Sequence, residues 1–367
     1  MTRFCFLVAC GGLIALAPIG RTAQTPTPPY PPSPVIERIE LDFRTHQRQA
    51  PGSDNWGTTW ADDGHLYSVW GDGGGFGGSN GRGRVLLGVA RIEGDGITYT
   101  GKNIWGGHQP VKPATFGGKS YGMLSVGGTL YMWVAPQPNP HLATSTIATS
   151  KDRGETWTLA DWHFKFEDGL TIPTFLNFGR DYAGARDGFV YSYYIQPAWG
   201  PGPAKKTPAH TFDVHAPGRI HLSRVPKNAI LDRWRYEFFA GLKNGAPTWT
   251  SDVTQKQPVF SDVNGVGWNL SVSYNAGLRR YLLATEHTET HAGKFGLFDA
   301  PEPWGPWTTV AYEEAWGAGV IEVTGFYWVF PPKWMNADGT QFTMMFTGKN
   351  SNDSFNTVSG RFVRRAK

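Results

Sequence analysis

Two aspartates, Asp54 and Asp72, stand 18 residues apart in the stretch SDNWGTTWADDGHLYSVWGDGGGFGG, residues 53–78. Two carboxylates facing one space are the minimum equipment for cleaving a glycosidic bond, one protonating the leaving oxygen and the other serving as base or nucleophile. They meet only if the chain between them folds back. Trp56 to Ala61 reads as a short strand, Asp62-Asp63-Gly64 as a tight turn and His65 to Gly71 as the returning strand. Asp-Gly supplies the positive φ that a two-residue hairpin wants. Asp54 precedes the first strand and Asp72 follows the second, so both are expected at the open end of the hairpin. Either could instead cap a turn, but the shared face and aromatic setting favour chemistry.

Other residues offer different chemistry. Trp56, Tyr121, His141, Tyr193, Arg219, Trp268, Asn269 and Glu322 are candidate substrate contacts on the same mouth. Of these, Tyr121, His141, Tyr193 and Arg219 could also serve a lyase, with arginine neutralising a uronate while tyrosine or histidine moves the proton. In an extended segment His287, Glu289 and His291 share one face, as weak candidates for a divalent metal; a solvated loop is the plainer reading, and no metal is expected. The Gly-rich run after Asp72 lacks the Gly-Lys-Ser/Thr of a phosphate loop, so it either lets backbone approach a ligand or forms a flexible lid. No cofactor is called for.

The elements that must position these residues are strands. The chain has 47 Gly, 27 Pro and 16 Trp and no long segment of helical period, which indicates an all-β protein. Turn signals recur at Asp62-Asp63-Gly64, Gly127-Gly128, Arg186-Asp187-Gly188, Asn275-Ala276-Gly277 and Ala337-Asp338-Gly339, each followed by an aromatic-rich strand. Their spacing of roughly 60 residues, with one longer gap, suits a β-propeller of five blades, with six or seven also compatible. In the clearest blade the strands are Ser120 to Val126, Thr129 to Ala135, Ala143 to Thr149 and Thr156 to Trp162. IERIELDF near the start alternates apolar and polar residues and could close the last blade, leaving no free sheet edge.

Met1 to about Ala23 has a signal-peptide pattern, and 24–34 reads as a Pro-rich linker with no packed structure; residues 35–367 form the catalytic domain. Cys5 and Cys10 both fall in the leader, so the exported chain has no disulfide. A net charge of +4 without basic blocks argues against nucleic acid. The expected location is secreted or periplasmic, without membrane insertion, and the expected state is a monomer.

Several stretches carry a resemblance. SKDRGETW at 150–157 matches the S-x-D-x-G-x-x-W Asp-box of sialidase-like propellers, which implies a structural turn opposite the acids. SDNWGTTWADDGHLYSVWGDG, KSYGMLSVGGTLYMWV, PTFLNFGRDYAGARDGFVYSYY, HLSRVPKNAILDRWRYEFFAGL and FDAPEPWGPWTTV together resemble a propeller family described as a domain of unknown function and related to bacterial endo-D-arabinanases. That resemblance covers roughly residues 53 to 347. It implies a five-bladed, glycan-active enzyme in which Asp54 and Asp72 act as acid and as base or nucleophile. The family is also similar to propeller lyases of the ulvan type; there Tyr121 replaces a histidine, His141 matches a second one, and Tyr193 with Arg219 matches a Tyr/Arg pair. The expectation is therefore a polysaccharide or oligosaccharide hydrolase, with a uronate lyase and a non-catalytic glycan-binding propeller as alternatives.

Overall fold

The computed structural model describes residues 26–137, 144–197 and 212–366, together with Met1. Among these residues the only helical elements are 3-10 turns of three residues, and no helix is long and apolar enough to cross a membrane. The expected leader lies outside the described residues.

The strands fall into five antiparallel sets. β1 (Ile36–Gln49) belongs to the last of them. The first set is β2 (Thr58–Trp60), β3 (Leu66–Gly71), β4 (Leu87–Gly94) and β5 (Tyr99–Trp105). The second is β6 (Gly118–Val126), β7 (Thr129–Pro136) and β8 (Thr144–Ser150), with two short pieces, β9 (Thr158–Leu159) and β10 (Phe164–Lys165), along β8. The third is β11 (Thr171–Asn177), β12 (Phe189–Ile195), β13 (Gly218–Pro226), β14 (Glu237–Lys243), β15 (Ala246–Thr250) and β16 (Pro258–Asp262). The fourth is β17 (Leu270–Asn275), β18 (Arg280–Glu286), β19 (Phe295–Ala300) and β20 (Thr308–Glu313). The fifth is β21 (Thr324–Val329), β22 (Gln341–Lys349) and β23 (Asp353–Arg364), completed by β1 on β23. The N-terminal strand thus closes the last set, as its alternation suggested.

The first strand of every set borders one axis. Thr58, Gly122, Thr174, Ser271 and Tyr327, from β2, β6, β11, β17 and β21, line the same narrow cavity. Inner strands approach closely enough for β11 and β17 to pair in parallel, and for Thr174 Oγ1 to donate to the Tyr121 carbonyl at 3.0 Å. Such proximity needs missing side chains: a Cβ on Gly122 would lie 2.8 Å from Thr174 Cα. Sheets set radially about an axis make a β-propeller. Strands sandwiched between neighbouring sets are buried on both faces, which is why LYSVWG and RYLLATE run continuously buried instead of alternating.

Aromatic rings fill the wedges between sets. Trp133 stacks on Phe175 at 5.7 Å, and Trp56 lies against Trp70 and Phe355 at 5.5 and 4.9 Å. Each such ring takes about 150–250 Å² out of water, and no described residue is a cysteine. Packing of these rings, with no disulfide among the described residues, holds the sets together.

Each of the five turn signals falls between the first and second strand of a set. The first hairpin differs in detail from the two-residue turn expected. Ala61 N donates to His65 O and Gly64 N to Ala61 O, both at 3.0 Å, so three residues form the loop and only Gly64 takes a positive φ. The outer strand expected over Thr156 to Trp162 is broken into β9 and β10. At its start Asp152 Oδ1 accepts from Ser150 Oγ and Thr156 N at 2.7 and 2.9 Å, while Trp157 is buried. Arg153 pairs with Asp62 and Asp63 at 3.6 Å, which sets this turn at the end of the first hairpin away from Asp54 and Asp72. The third set carries an added hairpin, β14–β15, on Asn244-Gly245, whose φ angles of 52° and 79° suit a type I′ turn.

The Pro-rich segment is not a bare linker. Pro32 bridges Thr309 in parallel, Ser33 Oγ donates to Asp299 at 3.0 Å, and Tyr30 packs its ring on Phe260 and Phe298 at 5.1 and 6.0 Å. The Tyr30 hydroxyl accepts from Ser261 N at 2.8 Å. Proline lacks an N–H but keeps its carbonyl, so Pro31 can still accept from Thr309 N at the sheet edge. The segment straps the third set to the fourth before entering the fifth. Tyr30→Ala is expected to lower stability by about 2 kcal/mol and Tyr30→Phe by about 1 kcal/mol, measured by denaturant unfolding. Equal, negligible losses would show that the strap carries no load.

Candidate active site

Asp54 is locked opposite Gly71 by reciprocal backbone bonds, Asp54 N to Gly71 O at 3.0 Å and Gly71 N to Asp54 O at 2.9 Å. Four residues on, Thr58 faces Ser68, so the register has slipped by one residue after Asp54, where Asn55 takes a φ of 57°. That unusual backbone is held from two other sets: Asn55 N donates to Thr347 Oγ1 at 3.0 Å, and Asn55 Oδ1 accepts from Asn269 Nδ2 at 3.1 Å. Beneath it, buried Trp56 donates its indole N–H to Ser53 O at 3.2 Å. Asp72 follows β3 with φ 53°. Both carboxylates therefore leave the open end of the first hairpin, as the spacing predicted.

Their surroundings differ. The Asp54 residue is half-buried, but its Oδ1 is fully buried and has no hydrogen-bond partner in the protein. Burial pushes its carboxyl up to about 7; Lys119 opposes the rise, and the charges of Asp72 and Asp353 add to it. Desolvation outweighs the nearby cation. Asp72 is instead ion-paired twice, with Lys119 Nζ at 2.6 Å and Arg84 at 3.0 Å. Asp353, at the start of β23, is raised by burial, with Lys349 opposing and Asp72 reinforcing.

A wall of side chains from the second and fourth sets stands beside the pair. The Tyr121 hydroxyl is buried and unpartnered, and the Tyr121 ring meets Trp268 edge-on at 5.3 Å. Trp268 Nε1 donates to His291 Nε2 at 3.2 Å, and burial takes the His291 ring down to about 4, which keeps it a neutral acceptor. Behind it Glu286 is fully buried and its Oε1 accepts from His291 N at 2.6 Å. Burial pushes Glu286 up to about 8, against that backbone N–H. Asn55 Nδ2 and Asn269 Oδ1 are also buried without partners. Buried polar atoms are nearly always satisfied, so a group of them around two carboxylates marks a place where a ligand's hydroxyls or water complete the bonding.

Several sequence expectations are corrected. Trp56 is a core residue stacked on Trp70 and does not reach the mouth. Tyr193 is fully buried with its hydroxyl spent on Pro303 O at 2.8 Å. Arg219 is exposed on β13, where its charge acts on His221. Glu322 is exposed and pairs with Arg48 at 2.9 Å. Trp268 and Asn269 stand beside the acids but form a buried floor. His141 lies outside the described residues. The metal trio is not on one face: positive φ at Thr288 and His291 curls the segment, so His287 stacks on Tyr312 at 3.7 Å while His291 packs on Phe326 at 4.0 Å and Glu289 is exposed. No cluster of metal-ligating residues occurs among the described residues. The Gly-rich run after Asp72 is packed rather than free. It is packed around Asn103, whose Nδ2 donates to Gly74, Phe76 and His108 carbonyls at 3.1, 3.0 and 2.7 Å. Sequence reasoning missed Lys119 and Gly71, whose part is visible only once β6 lies beside β3.

A family model for a domain of unknown function (DUF4185) matches residues 43–327. The chain belongs to that family. No curated protein matches this DUF4185 member in sequence. Among solved structures it is similar to a thermostable family-43 glycoside hydrolase at 12% identity, with 86% of this chain and 95% of that one covered and a TM-score of 0.47. It is also similar to a putative exo-beta-1,3-galactanase from Bifidobacterium bifidum s17 at 10% identity, over 86% and 97% of the two chains with a TM-score of 0.49.

The raised Asp54 carboxyl makes a prediction for stability. A carboxyl that keeps its proton when folded but loses it when unfolded contributes stability that is full below about pH 4 and lost as pH rises through about 7. Asp54→Asn is therefore expected to raise Tm by a few degrees at pH 8 and to leave it nearly unchanged at pH 4. A variant less stable than the parent at pH 8 would contradict the burial argument.

Proposed function

We propose that this DUF4185 protein is an exported glycan hydrolase, with Asp54 as general acid and Asp72 as general base or nucleophile. One observation carries the reading: two carboxylates leave one hairpin mouth in unlike settings, one buried and pushed up to about 7, the other ion-paired to two cations. Unequal environments of this kind divide acid from base at one pH. Asp54 gives its proton to the glycosidic oxygen as the bond to the anomeric carbon breaks. Water attacks that carbon and yields its proton to Asp72, or Asp72 attacks first and water, yielding its proton to Asp54, then releases the sugar and frees the Asp72 carboxylate. The five strand sets serve as five blades, and the unpartnered Tyr121 hydroxyl and Asn55 amide lie buried beside the acids. The resemblance of the first hairpin's sequence to that of bacterial endo-D-arabinanases supports the same pair. A lyase reading loses its tyrosine, because Tyr193 is fully buried with its hydroxyl bonded to Pro303 O.

The test is purified protein on neutral and uronate-containing polysaccharides, following new reducing ends and the ultraviolet absorbance of an unsaturated uronate in parallel. Reducing ends without absorbance are expected, reduced at least about a hundredfold by Asp54→Asn and by Asp72→Asn. Gly71→Ala is expected to match them, since its Cβ would lie 2.9 Å from Asp54 Oδ1 and 3.1 Å from Lys119 Nζ. Absorbance rising with cleavage, or cleavage unchanged in Asp54→Asn, would refute the assignment.

A further inference from the structure

Lys119 is the second residue of β6, and its side chain is 17% exposed. Its stem crosses the bare backbone of Gly71: a Cβ there would lie 3.2 Å from Lys119 Cδ and 3.1 Å from its Nζ. The same point is 2.9 Å from Asp54 Oδ1. The ammonium and that oxygen are thus no more than about 6 Å apart, close enough for the cation to favour an ionised carboxylate. On its other side Nζ bonds Asp72 Oδ1 at 2.6 Å. One cation therefore stands between both acids.

From this geometry we infer that Lys119 is the positioning residue that serves as a fixed counter-ion shared by Asp54 and Asp72 during turnover. The inference rests on the hydrolase reading and deepens it. Hydrolysis moves a negative charge from one aspartate to the other. At the start Asp72 is the carboxylate; the proton of Asp54 goes to the leaving oxygen as the old C–O bond breaks, and the proton of water goes to Asp72 as the new C–O bond forms. The charge ends on Asp54. If Asp72 attacks carbon directly, its ester is neutral and the charge sits on Asp54 until water, giving a proton to Asp54, breaks the ester and returns the charge to Asp72. A cation within reach of both carboxylates compensates the charge before and after the step without moving, which is the condition for preorganised electrostatic stabilisation. Arg84 pairs with Asp72 and not with Asp54, and Lys349 acts on Asp353, Glu286 and His291, so neither spans the pair. Lys119 is also what keeps burial from carrying Asp54 further upward.

The experiment is the pH profile of kcat and kcat/KM for the parent, Lys119→Met and Lys119→Arg on whichever glycan the parent cleaves. Lys119→Met is expected to lose about a hundredfold in kcat with KM changed far less. Its alkaline limb, set by protonated Asp54, is expected to move up by about one pH unit, because the opposing cation is gone. Lys119→Arg is expected to restore the limb and most of the rate. Asp54, Asp72, Asp353, Arg84, Lys349, Tyr121, Tyr327, Glu286 and His291 are the titratable groups around the site, and all stay in place in these variants. Should Lys119→Met not fold, as judged by its Tm, Lys119→Gln carries the same comparison. A Lys119→Met enzyme with parental rate and an unmoved limb, in a protein whose cleavage still needs Asp54, overturns the inference alone. Cleavage that survives Asp54→Asn overturns the hydrolase reading, and the inference with it.

Discussion

The site depends on a side chain that is missing. At Gly71 the backbone pairs with Asp54 on one side, while the space of an absent Cβ is shared by the Asp54 carboxyl and the stem and ammonium of Lys119. Any larger residue would drive these groups apart. The reciprocal Asp54–Gly71 bonds fix the height of the first acid, and the next residue after Gly71 is the second acid. Short-range geometry thus sets the separation of two groups whose charges must not be equal.

The rest of the propeller holds that geometry in place. Asn55 takes a left-handed backbone only because Thr347 from the fifth set and Asn269 beside the fourth satisfy its polar groups. Trp56 anchors the same turn from below against Trp70 and Phe355. Closing the ring with β1 on β23 brings Asp353 to the mouth, where it adds a third carboxyl to the local field. Burying Asp54 and Glu286 costs stability at neutral pH, and the aromatic wedges between sets offset that cost, a trade common where function needs an unfavourable environment.

Much of this was legible in the sequence, for physical reasons that also explain what was not. The turns at Gly64, Gly127-Gly128 and Gly339 announce themselves because few residues accept the positive φ found there; Gly188 and Gly277 have no such φ, yet all five signals fall between first and second strands. The two aspartates were readable because a hairpin is local. Asn244-Gly245 carried the same kind of signal, yet the hairpin it builds is an insertion that spacing alone does not anticipate. The Pro-rich start looked unstructured because composition does not reveal that Thr309 and Phe260 offer it partners. Aromatic residues were the least readable. Trp56, Tyr193 and Trp268 look alike in sequence, and only long-range packing decides which is core and which stands beside the acids. His287 and His291 separate because two residues adopt positive φ, which no alternation rule foresees. Nothing local marks Lys119; it matters because β6 lies beside β3.

Cleavage by this pair requires Asp54 to be a carboxylic acid near neutral pH beside an Asp72 held by Lys119 and Arg84. The most direct measurement is a titration of the side-chain carboxyl ¹³C signals of the substrate-free protein, with the Asp54 signal assigned by its loss in Asp54→Asn. The expected midpoint for Asp54 is near 7. A midpoint near 4, the ordinary value for an exposed aspartate, would contradict it and leave the mouth without its acid.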